Sequence, residues 1–330
     1  MAAVVDRVDA FQRRHPVLGL PLGVTYKFFD DQGNYLAVIL TYYAFVAIFP
    51  LLLIASSVLG FFLQNDEHLK TEVLNSALSQ FPIVGTQLGQ PGGLQGSTSA
   101  IVVGALAALY GVVGLGQAAQ NAISVTLAIP RNSRLNPIVS RLRSLLLLVA
   151  AGLTVLLVAV ITSLASHTEA LGVDVGTTLR WGLRIASIVV TAAVLGVMII
   201  FSTSRRLSIR DVLPGAVAVA LMWQLLQELG GVYVQHVIGK ANSMNSTFGL
   251  VLGLVALIYV AATMAVVGLE INVVVAQHLY PRALLTPFTD SVHLTEADRR
   301  VYTDYAKAQR HKGFQQVQVD FDDRPGPDGH

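Results

Sequence analysis

Two carboxylates stand in stretches of sequence that are otherwise apolar, Glu228 and Glu270, and Asn272 lies two residues beyond the second. A carboxylate set among lipid tails costs several kcal/mol, so such a group faces the protein interior or water. Gln117, Gln120 and Asn121 form a second polar set in an apolar run. Their spacings of three and four residues put all three on one face of a helix. Tyr42 and Tyr43 precede Pro50 in a third run. Pro50 removes a backbone hydrogen bond and crowds the carbonyl four residues earlier, so a kink is expected over 46–50. Together these residues allow a polar pathway through a helical bundle, with a protonatable Glu as a coupling group. Each also has a plainer reading as hydrogen-bonding glue between helices, and both readings are open at this level.

The chain offers little for other chemistry. It has no cysteine, hence no disulfide and no thiolate nucleophile or ligand. It lacks a His-x-x-x-His pair, a Walker loop and a Gly-x-Ser-x-Gly elbow. Its eight histidines are scattered, none grouped with carboxylates at metal-ligand spacing. No enzyme activity, metal or cofactor is therefore expected. Nucleic acid is not an expected partner either, because no basic stretch is interleaved with aromatic platforms.

Membrane-spanning elements must position these side chains. Of 330 residues, 53% are hydrophobic and 13% charged, against about 25% charged in an ordinary soluble domain. The mean hydropathy is +0.61. The apolar runs are continuous rather than alternating, and a bilayer core needs about 20 such residues per helix. The expected fold is an all-α, polytopic membrane bundle of about six spans, at 35–62, 99–127, 144–165, 181–202, 212–235 and 248–278. Residues 1–34 form an N-terminal interfacial segment, 35–280 the membrane domain, and 281–330 a soluble tail. Thr295 and Asp298 resemble a capping box for a helix to about Arg310. The acidic, Pro/Gly-rich end of the tail is expected to be disordered. Between the first two spans, 64–98 carries Leu69, Val73, Leu74, Ala77, Leu78 and Phe81 on one helical face, as expected of an amphipathic helix on the membrane surface.

Charge orients the bundle. With six spans, 18 of the 22 Lys and Arg fall on one side, and only Lys70, Arg180, Arg184 and Lys240 on the other. The positive-inside bias then puts both termini in the cytoplasm. The basic loops contribute Arg131, Arg134, Arg141 and Arg143, then Arg205, Arg206 and Arg210, which suit anionic lipid headgroups.

Three blocks carry a family resemblance. Residues 35–53, YLAVILTYYAFVAIFPLLL, resemble the first span of the YihY/BrkB family of bacterial inner-membrane proteins, which includes YhjD-type members. RDVLPGA at 210–216 with Trp223, and Phe248-Gly249 followed by GLEIN at 268–272, resemble its fifth and last spans. Phe248, Leu269 and Gln224 stand where the family commonly has Tyr, Ala and Glu. The resemblance implies an inner-membrane location and a link to envelope integrity, virulence and export of lipid-like molecules. The ribonuclease label once attached to the family finds no support in these residues. Two functions follow as expectations. One is a transporter or flippase-like translocator, its cavity lined by Tyr42, Tyr43, Gln117, Asn121, Glu228 and Glu270, with membrane lipids as partners. The other is a non-catalytic envelope scaffold acting through a homo-oligomer or partner proteins.

Overall fold

The structure is a computed structural model that describes residues 7, 9–12, 14, 16–62, 98–134, 136, 138–147, 149–150, 152–153, 177–233, 243–288 and 292–322. Every regular element among them is helical. In chain order these are α1 (Pro16–Asp30), α2 (Gly33–Phe62), α3 (Thr98–Thr126), α4 (Thr177–Ser202), α5 (Ile209–Tyr233), α6 (Ser243–Ala276) and α7 (Glu296–Ala308), with a further helical stretch at 138–147. Three contain segments long and apolar enough to cross a membrane: Arg184–Ser202, Ile209–Leu229 and Val251–Ala276. The 30 residues of α2 extend about 45 Å at 1.5 Å per residue, and α2 runs through Pro50 as one helix. The expected surface helix of 64–98 and the core of the third expected span fall outside the described residues, as does the end of the tail.

The last long helix, α6, is the hub. It packs on α1, α2, α3 and α5, while α2 pairs with α3 and α4 with α5. Glycine makes these crossings close. A Cβ on Gly215 of α5 would sit 1.9 Å from the Gly268 carbonyl oxygen of α6, and one on Gly268 would sit 2.2 Å from Val219 Cγ2. In α3, Gly111 faces the α2 backbone at Ala47 and Gly114 receives the ring of Tyr43. Gly116 receives Ser144 from the 138–147 helix. Small residues at helix contacts substitute van der Waals packing for the hydrophobic drive that is missing in a bilayer.

Both α3 and α6 end with a residue in left-handed conformation, Ala128 (φ 48°) and His278 (φ 54°). The next amide then reaches back to close the last turn, Ile129 N to Ser124 O and Leu279 N to Val274 O. Such a close normally buries the apolar residue that follows it. Ile129 and Leu279 indeed enter one core with Val24, Val273 and Val301, and this core fastens α1 and α7 to the end of the bundle.

The tail carries the helix expected at 295–310. Its helix does begin at the capping box: Thr295 Oγ1 accepts from Asp298 N (3.1 Å) while Asp298 Oδ2 accepts from Thr295 N (2.9 Å). Yet α7 folds back on the bundle, with Ala297, Asp298 and Val301 buried. The N-terminal segment is likewise helical and buried at Gly23, Val24, Tyr26 and Lys27. Both segments carry an apolar face, and the exposed ends of α3 and α6 give those faces something to cover.

Candidate functional site

The end of the bundle that carries α1, α7 and the loops at 127–134 and 203–208 gathers a buried set of charges. Lys27 and Asp31 are four residues apart and form an ion pair at side-chain exposures of 3% and 1%. Lys27 Nζ also donates to the Thr126 carbonyl at the end of α3 (3.2 Å). It lies 3.7 Å from Oε2 of the fully buried Glu270, too far for a hydrogen bond, and 5.0 Å above the ring of Tyr305. Neither Glu270 oxygen has a hydrogen-bond partner among the described residues.

A second cation stands beside this set. Arg282, fully buried, donates through Nε to Asp298 and through Nη2 to Asp30 Oδ2 (3.1 Å). The rings of Tyr26 and Tyr302 flank its guanidinium at 6.0 and 5.6 Å. Asp298 also accepts from Ala283 N (2.9 Å), and Asp9 and Tyr26 accept from the next two amides (3.0 and 2.9 Å). Buried charges persist only when paired and hydrogen-bonded, and here each cation draws its carboxylates from different helices. Burial pushes the Asp30 carboxyl above its ordinary range against the pull of Arg282. Burial, with Asp30 nearby, pushes the Tyr302 phenol up to about 12. The phenol of Tyr305 is raised too, by burial first and then by Asp31.

Beside the cluster lie two adjoining cavities. One, of about 230 Å³, is bounded by all six helical stretches of the bundle, with Leu40, Leu115, Ser144, Ile199, Val219 and Leu269 in its walls. Its walls are almost wholly apolar, which favours an apolar group over a polar one. The other, of about 130 Å³, opens at the charged end and shares Ile199 and Leu269 with the first. Its walls are mixed: Arg205, Arg206, Asp211, Asn272 and Gln277 stand among Leu127, Leu207, Val212 and Val273. Asn272 is buried, and its Oδ1 accepts from Gly215 N at 2.6 Å. Because a backbone N–H can only donate, this bond fixes the amide orientation. The Asn272 Nδ2 group is left without a hydrogen-bond partner among the described residues.

The polar residues picked from the sequence fall in different surroundings among the described residues. Glu270 joins the ion cluster and Asn272 the polar pocket. Gln120 is consumed by the 138–147 helix, donating to Ser140 O (3.0 Å) and Ser144 Oγ (3.1 Å) while Ser140 Oγ donates back (2.5 Å). Asn121 is exposed and accepts from Arg134 (3.1 Å). Glu228, half exposed, pairs with Arg184 of α4. Tyr42 is exposed, and Tyr43 packs against Tyr42 and Tyr110. Gln117 is partly buried, and the side chain of Pro50 lies outside those described. Of the expected lining set, Gln120, Asn121 and Glu228 are thus bonded to neighbouring segments. Among the basic residues, Arg143 holds the carbonyls of Phe201 and Thr203 (3.2 and 3.3 Å). Arg131, Arg141, Arg205, Arg206 and Arg210 are exposed.

The sequence reading passed over Lys27, Asp30, Asp31, Arg282 and Asp298 as site residues. Lys27 and Asp31 carried a signal, opposite charges at i and i+4 on one apolar helical face. Arg282 and Asp30 carried none, being 252 residues apart.

An all-helical membrane protein with buried charges under one end is thus the class that the fold and site define. The chain belongs to the family described as virulence factor BrkB, whose model matches residues 24–290. No curated protein and no solved structure matches it.

Proposed function

We propose that this protein is a six-span inner-membrane protein, both termini cytoplasmic, that holds and translocates an amphipathic, lipid-like molecule. The observation that carries the reading is the apolar cavity at the meeting point of α2, α3, 138–147, α4, α5 and α6, which shares Ile199 and Leu269 with a pocket at the basic end that holds polar groups. A molecule with one apolar and one polar part matches that pairing. The charge bias of the loops turns the basic end to the cytoplasm. No nucleotide-binding loop is present in the sequence, so active movement draws on an ion gradient or a partner. Glu270, with Lys27 at 3.7 Å, is the group we assign to proton coupling.

A second reading has its own support. Glu228, Gln120 and Asn121 all act as fastenings between chain segments, which is what a non-catalytic envelope scaffold requires. Transport separates the two. In reconstituted vesicles, a fluorescent single-chain amphiphile is expected to cross with the wild-type protein. Crossing should stop with Ala265→Phe, which fills the apolar cavity, while the melting temperature stays near wild type. Wild-type vesicles no leakier to the amphiphile than protein-free ones would leave the scaffold reading standing.

A further inference from the structure

The polar pocket says which amphiphile fits. We propose that Arg205, Arg206 and the Asn272 amide form the seat of an anionic headgroup, phosphate-like in chemistry, whose hydrocarbon chain lies in the adjoining apolar cavity. This rests on the amphiphile reading and narrows it. Three independent features converge. Arg205 and Arg206, both solvent-exposed, are among the residues that line one pocket, and a guanidinium suits phosphate and carboxylate oxygens. Asn272, 5% exposed, presents an NH₂ group with no partner among the described residues, in an orientation locked by the Gly215 N–H. A buried donor left unpaired is costly, and an anionic oxygen is the acceptor that both it and the arginines would share. Finally, the pocket and the apolar cavity share Ile199 and Leu269 in their walls, so the two spaces are neighbours.

One wall group opposes an anion. Asp211 lines the same pocket, but its Oδ2 accepts from Ser208 N at 2.8 Å at the start of α5. That bond turns one of its oxygens to the backbone, and the two arginines outweigh its single charge.

Binding to the purified full-length protein in detergent provides the test. Lysophosphatidylglycerol and lysophosphatidylcholine of equal chain length share the phosphate, but the choline ammonium of the second cancels the net charge that the glycerol of the first leaves. The anionic lipid should bind about tenfold more tightly or better, roughly what one charge-assisted hydrogen bond contributes. Arg205→Gln/Arg206→Gln should erase that preference. Arg131→Gln/Arg210→Gln, which removes the same charge from exposed positions outside the pocket, should keep it. Glycerol phosphate, a headgroup with no chain, should compete poorly. Equal binding of the two lysolipids overturns the anionic seat while leaving the amphiphile reading intact. A preference that survives Arg205→Gln/Arg206→Gln puts the seat elsewhere, and full competition by glycerol phosphate removes the chain from the site. If neither lysolipid binds, the amphiphile reading itself falls.

Discussion

Lys27 shows most clearly how one residue organises this protein. Its ammonium meets Asp31, the Thr126 carbonyl, Glu270 and the Tyr305 ring, so four segments of chain converge on one charge. Removing it strands two carboxylates out of water. Lys27→Met is expected to lower stability by about 3–5 kcal/mol, the usual cost of orphaning a buried charge, read as a fall in the melting temperature in detergent. Glu270→Gln should cost far less, because the cluster holds more carboxylates than cations and the neutral amide keeps the shape. A Lys27→Met variant that melts with wild type would show the cluster to be wet and loosely held. The sequence made Glu270 visible because a carboxylate in an apolar run is conspicuous. It hid Lys27 and Arg282, which in a list of charges look like ordinary topology determinants at the ends of spans. Only the fold, by joining the two ends of the chain, turns them into a site.

Among elements, the crossing of α5 and α6 is the tightest constraint. Gly215 N donates to Asn272 Oδ1, and the Gly215 and Gly268 backbones approach so closely that neither tolerates a Cβ. Two of the three blocks that carry the family resemblance, RDVLPGA and GLEIN, therefore meet in space. Gly215→Ala is expected to cost about 3 kcal/mol or more as overpacking against backbone, whereas Gly182→Ala, with open space around it, should be neutral. Similar melting temperatures for the two variants would mean that α5 and α6 can part without penalty. Most of this level was legible: the long apolar runs, the α7 capping box and the small-residue faces are local patterns with local causes. The docking of α1 and α7 was not, because it depends on the apolar residues Ile129 and Leu279 that follow two left-handed helix ends. Neither end has the glycine that would announce such a turn, for Ala128 and His278 occupy those positions.

For the whole molecule, the charge asymmetry predicts a topology with both ends in the cytoplasm. A reporter active only in the periplasm, fused after His330, should be silent, and one active only in the cytoplasm should work; the reverse pattern would invert the bundle and the pocket with it. The position of the cavity was not legible in the sequence, because apolar side chains from six separate helical stretches bound it and no local pattern brings them together. What remains between the helices is an apolar space with a basic mouth, and the central claim is that an amphiphile occupies it. An experimental density map of the protein in a lipid nanodisc tests this most directly. The account predicts elongated density inside the bundle, against Leu115, Val219 and Leu269, ending beside Arg205 and Arg206. Lipid density confined to the outer surface, with those side chains packed together and the space closed, would contradict it.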